Sequence, residues 1–217
     1  MSTSGPYRHN GAMSPRRRKA EDADVFAAMG RTMRRVGPAE LTLAAIAAEA
    51  GITAGALVQR FGSKRELILA HWRQYAKAGT PPDPVAPAAS PLQALRATAT
   101  MFAKLASSPR AALRNLAYMQ SDWADAALRR HWLRHTRAAR ARYELLVTEA
   151  VAHGELRTGT DPQALARMIE VTLGGSFLAW TLHREGSAAT RISEDLDATL
   201  KPYLTKKSVT RDSEELV

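Results

Sequence analysis

Residues 41–69, LTLAAIAAEAGITAGALVQRFGSKRELIL, hold two short helical patterns divided by one glycine, and this division constrains the chain more than any other feature. Leu43, Ile46, Ala47 and Ala50 fall on one helical stripe. Gly51 suits the positive φ that ends a helix, and Thr53 is placed to cap the next one. Leu57 and Phe61, four residues apart, give the second helix an inward face. So small and alanine-rich a pair lets two helices cross closely and hold one of them outward. A helix-turn-helix built this way lays its second helix in the major groove of DNA.

Charge and composition point the same way. The chain of 217 residues is 45% hydrophobic, enough for one or two domains with a sizeable core. Its net charge is +10, and residues 1–79 carry 13 Lys+Arg against 6 Asp+Glu, so an anionic partner is expected at the N-terminal third. The lack of cysteine excludes disulfides, thiolate metal sites and cysteine nucleophiles. No signal-peptide pattern opens the sequence, and the longest mostly apolar run, residues 171–182, falls short of the roughly 20 residues of a membrane span. The expectation is a soluble cytoplasmic protein with no membrane partner.

In chain order, residues 1–15 are polar and aperiodic and are expected to be disordered. Arg16, Arg17, Arg18 and Lys19 follow. They read either as a solvated basic tail or, from their place ahead of the helix-turn-helix, as an arm on DNA phosphates or in the minor groove. A first helix is expected over 20–36, with Val25, Phe26, Met29 and Met33 at helical spacing and Gly37-Pro38 as its stop. Thr42 is placed to cap the second helix and to touch a phosphate, since helix N-termini favour anions. A fourth helix is expected over 63–78, with Leu67, Ile68 and Trp72 facing inward, then a linker over 79–91 with prolines at 81, 82, 84, 87 and 91. Further helices are expected over 92–106, from the Ser-Ser-Pro break at 107–109 to about 121, and over 122–153, 162–184 and 192–204, with Asp161-Pro162 opening the penultimate one. The chain is therefore read as all-α.

Residues 25–69 resemble the DNA-binding domain of the tetracycline-repressor (TetR) family of bacterial transcription regulators. The matching pieces are the first helix ending at Gly37, LTLAAIAAEAGI, ALVQRFGSKRELI, and above all the Phe61-Gly62-Ser63-Lys64 step into a long fourth helix. The resemblance implies that Thr53, Ala54, Gly55, Ala56, Val58, Gln59 and Arg60 present the third helix to DNA. By side-chain chemistry Gln59 suits adenine, Arg60 guanine or phosphate, and Val58 a thymine methyl, while Gly55 and Ala56 admit a close backbone. Lys64 resembles the family's phosphate-clamping lysine. The sequence departs from the family at Ala56, where a serine or threonine is usual, and at Val58, where an aromatic residue is common.

The family also implies a C-terminal domain with an effector cavity lined by the fourth to eighth helices, and a dimer through the last two helices. By apolar face and size the pocket candidates are Trp72, Phe102, Met119, Trp123, His135, Tyr143 and Phe177, with plain core packing as the other reading of each. The run VTLGGSFLAWTL is apolar nearly all round. With the last helix it suggests a symmetric four-helix interface of Gly174, Gly175, Leu178, Leu182, Leu196 and Leu200; an intrachain core is the alternative. Arg129, Arg130, Arg134, Arg137, Arg140 and Arg142 read as a solvated or salt-bridged face rather than a second nucleic-acid surface, because Leu128, Trp132, His135, Ala139, Tyr143 and Leu146 form the apolar stripe of that helix. His131 and His135 lack the glutamate of a zinc-protease motif, so no metal, cofactor or catalytic residue is expected.

The domain reading is 1–15 disordered, 16–79 helix-turn-helix DNA-binding domain, 80–204 helical effector-binding and dimerisation domain, and 205–217 disordered tail. The functional expectation is a homodimeric, sequence-specific DNA-binding regulator: a repressor released from a near-palindromic operator by a small, largely apolar ligand. A nonspecific architectural DNA-binding protein is the alternative, although it has no need of so large an apolar helical domain. An enzyme is the more remote one, since neither a Gly-rich phosphate loop nor a metal cluster is found in the sequence.

Overall fold

A computed structural model describes residues 21–77 and 88–206, with the side chains of 75–77 excepted. The expected arm of Arg16, Arg17 and Arg18, the prolines at 81, 82, 84 and 87, and the tail from 207 lie outside the described residues. Among the described residues the chain is all-α. The helices are α1 (Asp22–Arg35), α2 (Leu43–Ala50), α3 (Ala54–Phe61), α4 (Lys64–Lys77), α5 (Pro91–Leu105), α6 (Pro109–Ala124), α7 (Ala126–Ala152), α8 (Pro162–His183) and α9 (Ala188–Leu200). A short 3-10 turn, Lys201–Tyr203, follows, and the isolated bridge between Leu156 and Leu204 ties the end of the chain to the loop after α7.

Local chemistry sets these boundaries. Three helices open on a capping residue followed by proline, whose fixed φ and missing N–H suit the first helical position. Ser90 Oγ accepts from Gln93 N at 3.3 Å, Ser108 Oγ from Ala111 N at 3.1 Å, and Asp161 Oδ1 from Gln163 N at 2.9 Å. The long helix expected over 122–153 instead begins at Ala126, because Asp125 Oδ1 accepts from Ala127 N and Leu128 N at 2.8 and 3.1 Å and restarts the helix there. The final helix starts earlier than the expected 192, at Ala188, where Ser187 Oγ accepts from Thr190 N at 3.0 Å, and it gives way to the 3-10 turn around Pro202.

Two apolar cores result. Val25, Phe26, Met29, Leu41, Ile46, Leu57 and Leu67 close the N-terminal one, and α6 sends Tyr118 into it. The Tyr118 hydroxyl donates to Val36 O at 2.9 Å, so the N-terminal unit is bonded directly to the helices behind it. Burial pushes the phenol up to about 12, so it stays a donor. The second core is built by α5, α7, α8 and α9 around Leu95, Val147, Leu165, Ile169, Leu173 and Ile192. Leu196 and Leu200 belong to it and are fully buried within one chain, so they are corrected from the expected interface to core. Their face of α9 is already covered by α5 and α8. Tyr143 and Phe177, expected to line a pocket, are packed into the same core.

Candidate nucleic-acid interface and the aromatic junction behind it

The turn between α2 and α3 is built as its residues require. Thr42 Oγ accepts from Ala45 N at 3.1 Å and starts α2; Gly51 ends it in the left-handed region at φ 69°. Thr53 Oγ then accepts from Ala56 N at 3.1 Å and starts α3. Both hydroxyls are exposed and keep a proton to donate outward. Glu49 on α2 is gripped by two arginines of α1, Arg31 Nε at 2.6 Å and Arg35 Nη1 at 2.5 Å, whose hydrogen bonds hold its carboxyl below the usual range. That clamp fixes α2 against α1 and neutralises the acid on the unit's surface.

On α3, Leu57 is fully buried while Val58 on the next position is 50% exposed. Gly55, Ala56, Gln59 and Arg60 share that open side. Ala54 is corrected: its half-buried side chain packs against the N-terminal core instead of facing outward. Arg60 pairs with Asp22 of α1 through Nη2 and lies over the Phe61 ring, 5.5 Å from its centroid, so part of its charge is already engaged within the protein. Lys64 is half-buried and donates to Pro38 O at 3.1 Å, which leaves two of its three N–H groups for a phosphate. Under this face, His71 lies 5.2 Å from Phe26 and burial holds its imidazole below the ordinary value.

Behind the open side of α3, α4 meets α6 and α7 at a group of aromatic rings. Trp72 of α4 lies 5.2 Å from Trp132 and 6.2 Å from His135, both on α7, and stacks on His131 at 6.4 Å with 16° between the planes. Trp123 of α6 sits edge-on to Trp132 at 6.2 Å and is 46% exposed. Asp122 is buried beneath them; its Oδ2 accepts from Trp132 Nε1 at 3.0 Å, and burial pushes its carboxyl up. At the edge, Asp125 accepts from Arg65 Nε at 2.5 Å and Nη2 at 3.2 Å, so the carboxylate that begins α7 also holds the start of α4. The hydrogen bond from Arg65 is the first cause of its low pKa.

Of the expected pocket residues, the structure brings Trp72, Trp123 and His135 together. Phe102 packs against the C-terminal core, and Met119 is half-buried on α6 outside the ring group. Trp132, His131 and Asp122 belong to the group and were not among the pocket candidates. Trp132 had a visible signal, its place on the α7 stripe beside His135. Asp122 had none, because the bond across the α6–α7 break joins residues ten apart in sequence. Among the described residues no group of three His, Cys, Asp or Glu is placed to hold a metal ion. Arg140 pairs with Glu170 at 2.5 Å, and Arg129, Arg130, Arg134 and Arg137 are exposed.

The outer face of α8 is apolar and open. Val171 is 68% and Leu182 70% exposed, with Leu178 on the same side. A Cβ at Gly174 or Gly175 meets nothing within 4 Å, so neither glycine serves close packing inside one chain.

Comparison with known proteins follows these units. The family described as "Bacterial regulatory proteins, tetR family" matches residues 27–71, and "Tetracyclin repressor-like, C-terminal domain" matches residues 91–196. No curated protein matches the sequence. Among solved structures, a TetR transcription regulator from Haloarcula marismortui ATCC 43049 superposes with a TM-score of 0.69 at 14% identity, over 85% of this chain and 98% of that one. SmeT, the repressor of the SmeDEF multidrug efflux pump of Stenotrophomonas maltophilia, gives a TM-score of 0.61 at 25% identity, over 87% of this chain and 92% of that one. Its complex with triclosan gives 0.60 at 26% identity, over 85% and 92%.

Proposed function

Since the chain belongs to the tetR family of bacterial regulatory proteins, and is thus a DNA-binding transcriptional regulator, we propose that α3 is its reading helix and that it acts as a ligand-released repressor. The observation that carries this reading is the open side of α3: Gly55, Ala56, Val58 and Gln59 stand clear while Leu57 anchors the helix beneath them. Thr42, Thr53 and Lys64 flank that side with donors suited to phosphate, and Arg16, Arg17 and Arg18, which precede the described residues, add positive charge to the same part of the sequence. The family is one of DNA-binding regulators rather than enzymes, and no catalytic role is assigned here.

A second copy of the chain covers the α8 face in this reading. Val171, Gly174, Gly175, Leu178 and Leu182 form a self-complementary patch, with the glycines admitting the partner helix closely. Two reading helices then meet a near-palindromic operator at successive major grooves, about 34 Å apart. No helix among the described residues is long and apolar enough to cross a membrane. The division at 16–79 and 80–204 assigns reading to the first unit and effector binding and pairing to the second.

The effector site of this reading is the junction where α4 meets α6 and α7. SmeT, similar along most of its length, is held in complex with triclosan, a precedent for a small ligand on this fold. A ligand shifts operator affinity only by preferring one separation of the two reading helices over the other. Selection of duplexes from a random pool tests the proposal. The expected product is an inverted repeat with half-sites about one helical turn apart. Recovery of no motif, at an affinity equal to random duplex, supports the architectural alternative instead.

A further inference from the structure

The aromatic junction has two electrically distinct ends. At the inner end, Asp122 is buried and already accepts from Trp132 Nε1 at 3.0 Å. Burial pushes its carboxyl up, and the oxygen it turns to the indoles is engaged by the Trp132 N–H. At the outer end the Trp72–His131 stack draws α4 onto α7 and sets Arg73 beside the segment that carries Arg130 and Arg134. Arg134 donates to His131 Nδ1, which keeps that ring an acceptor and neutral. Burial and then the charges of Arg134, Arg73 and Arg130 hold His131 below its ordinary value, and Arg134 is the guanidinium in contact with the ring.

Little negative charge balances them. Glu66 reaches Arg73 only at 3.7 Å and is shared with Arg65 at 2.9 Å, while Asp125 is taken by Arg65. Arg130 is exposed and has no carboxylate partner among the described residues. Between the two ends lie indole surfaces, and Trp123 remains 46% exposed. An aromatic shelf with a cationic rim recognises a flat apolar body bearing an anion. Its ring gains by offset or edge contact with the indoles, and a planar carboxylate matches the guanidinium fork.

We propose that the angled indoles of Trp72, Trp123 and Trp132, with Arg73, Arg130 and Arg134 on the helices that carry them or their neighbours, bind a flat aromatic monocarboxylate. The ring packs by face or edge against the angled indoles, and the carboxylate meets guanidiniums contributed by α4 and α7. The anion therefore ties the helix that follows the reading head to the helix of the C-terminal core, and relieves the repulsion between them. The effect on operator affinity rests on the regulator reading above; binding itself does not.

The test uses the full chain without DNA and the probe 2-naphthoate, with 2-naphthamide and 2-naphthylmethylammonium as neutral and cationic comparators. Calorimetry is expected to show saturable binding of the naphthoate, about tenfold tighter than the amide, as a charge-assisted bond requires. The side-chain N–H resonances of Trp72, Trp123 and Trp132 shift, and that of Trp180, in the C-terminal core, does not. Arg130→Gln with Arg134→Gln, two exposed positions, brings naphthoate down to the affinity of the amide at an unchanged unfolding midpoint; Arg73→Gln on α4 gives the same result independently. Equal affinity for amide and naphthoate, tightest binding of the ammonium, shifts confined to Trp180, or no binding each overturns the proposal. A failed operator selection leaves this result standing, and a failed titration leaves the selection standing.

Discussion

Individual side chains on α3 and α4 divide into those that read and those that hold. Gln59 is exposed and carries both a donor and an acceptor, which suits a bidentate bond to adenine. Gln59→Ala is therefore expected to relax sequence choice at one or two base pairs of the selected site while leaving the unfolding midpoint unchanged; an identical selected motif removes Gln59 from base reading. Arg60 and Lys64 are engaged within the protein, by Asp22 and by Pro38 O, so they fix α3 and α4 as well as serving any phosphate. His71 sets a pH dependence. Burial holds its folded-state value below the ordinary 6.5, so the unfolded chain takes up the proton first. The neutral ring's contribution to stability is complete above pH about 6.5 and is lost as the pH falls through the folded value. His71→Phe is expected to shrink the loss of stability between pH about 7 and about 5, measured by denaturant unfolding. His131 and His135, held low by the same cause, keep the loss from vanishing, and Asp122, shifted upward, works in the opposite direction. An undiminished loss in the variant contradicts the role given to His71.

At the scale of elements, the helix-turn-helix is specified locally. Thr42, Gly51 and Thr53 each supply the cap or turn that their neighbours need, and this is why the caps of α2 and α3 and the turn between them are legible in the sequence. Thr53→Ala removes the bond to Ala56 N and is expected to cost about 1 kcal/mol. In a chain of this size that lowers the unfolding midpoint by about 2–4 °C; no change on calorimetric scanning places the stability of α3 elsewhere. Less local features were harder to read. The break before α7 depends on Asp125 acting as a cap inside a stretch with unbroken helical pattern. Leu196 and Leu200 show the same limit: their spacing reveals a buried face of α9 but not whether the burying partner is the same chain or another. The pocket candidates divide for a related reason: Tyr143 and Phe177 are as apolar as Trp72, and only the fold separates core from junction. Ala54 lies on the recognised motif, yet the helix turns it inward.

For the whole molecule, two cores are joined through α4 and α6, by the Arg65–Asp125 pair, the Tyr118–Val36 bond and the stacked rings of the junction. In the proposed dimer a second copy covers the apolar face left on α8, and the molecule then spans two half-sites. Leu178→Glu with Leu182→Glu puts two charges into that face and is expected to give a folded monomer by sedimentation, with operator affinity reduced to that of a half-site. A dimer that persists in this variant moves the interface to another surface. Whether the outer side of α3 is what a duplex receives is tested most directly by one charge placed there. Val58→Glu sits 50% exposed, so it leaves the core intact while setting a carboxylate against the phosphates. Leu133→Glu, at a position of α7 that is 46% exposed, controls for charge alone. With the selected duplex, the account predicts that Val58→Glu falls to the affinity of random DNA, while Leu133→Glu binds as the unaltered protein does and both melt normally. Undiminished operator binding by Val58→Glu would contradict it.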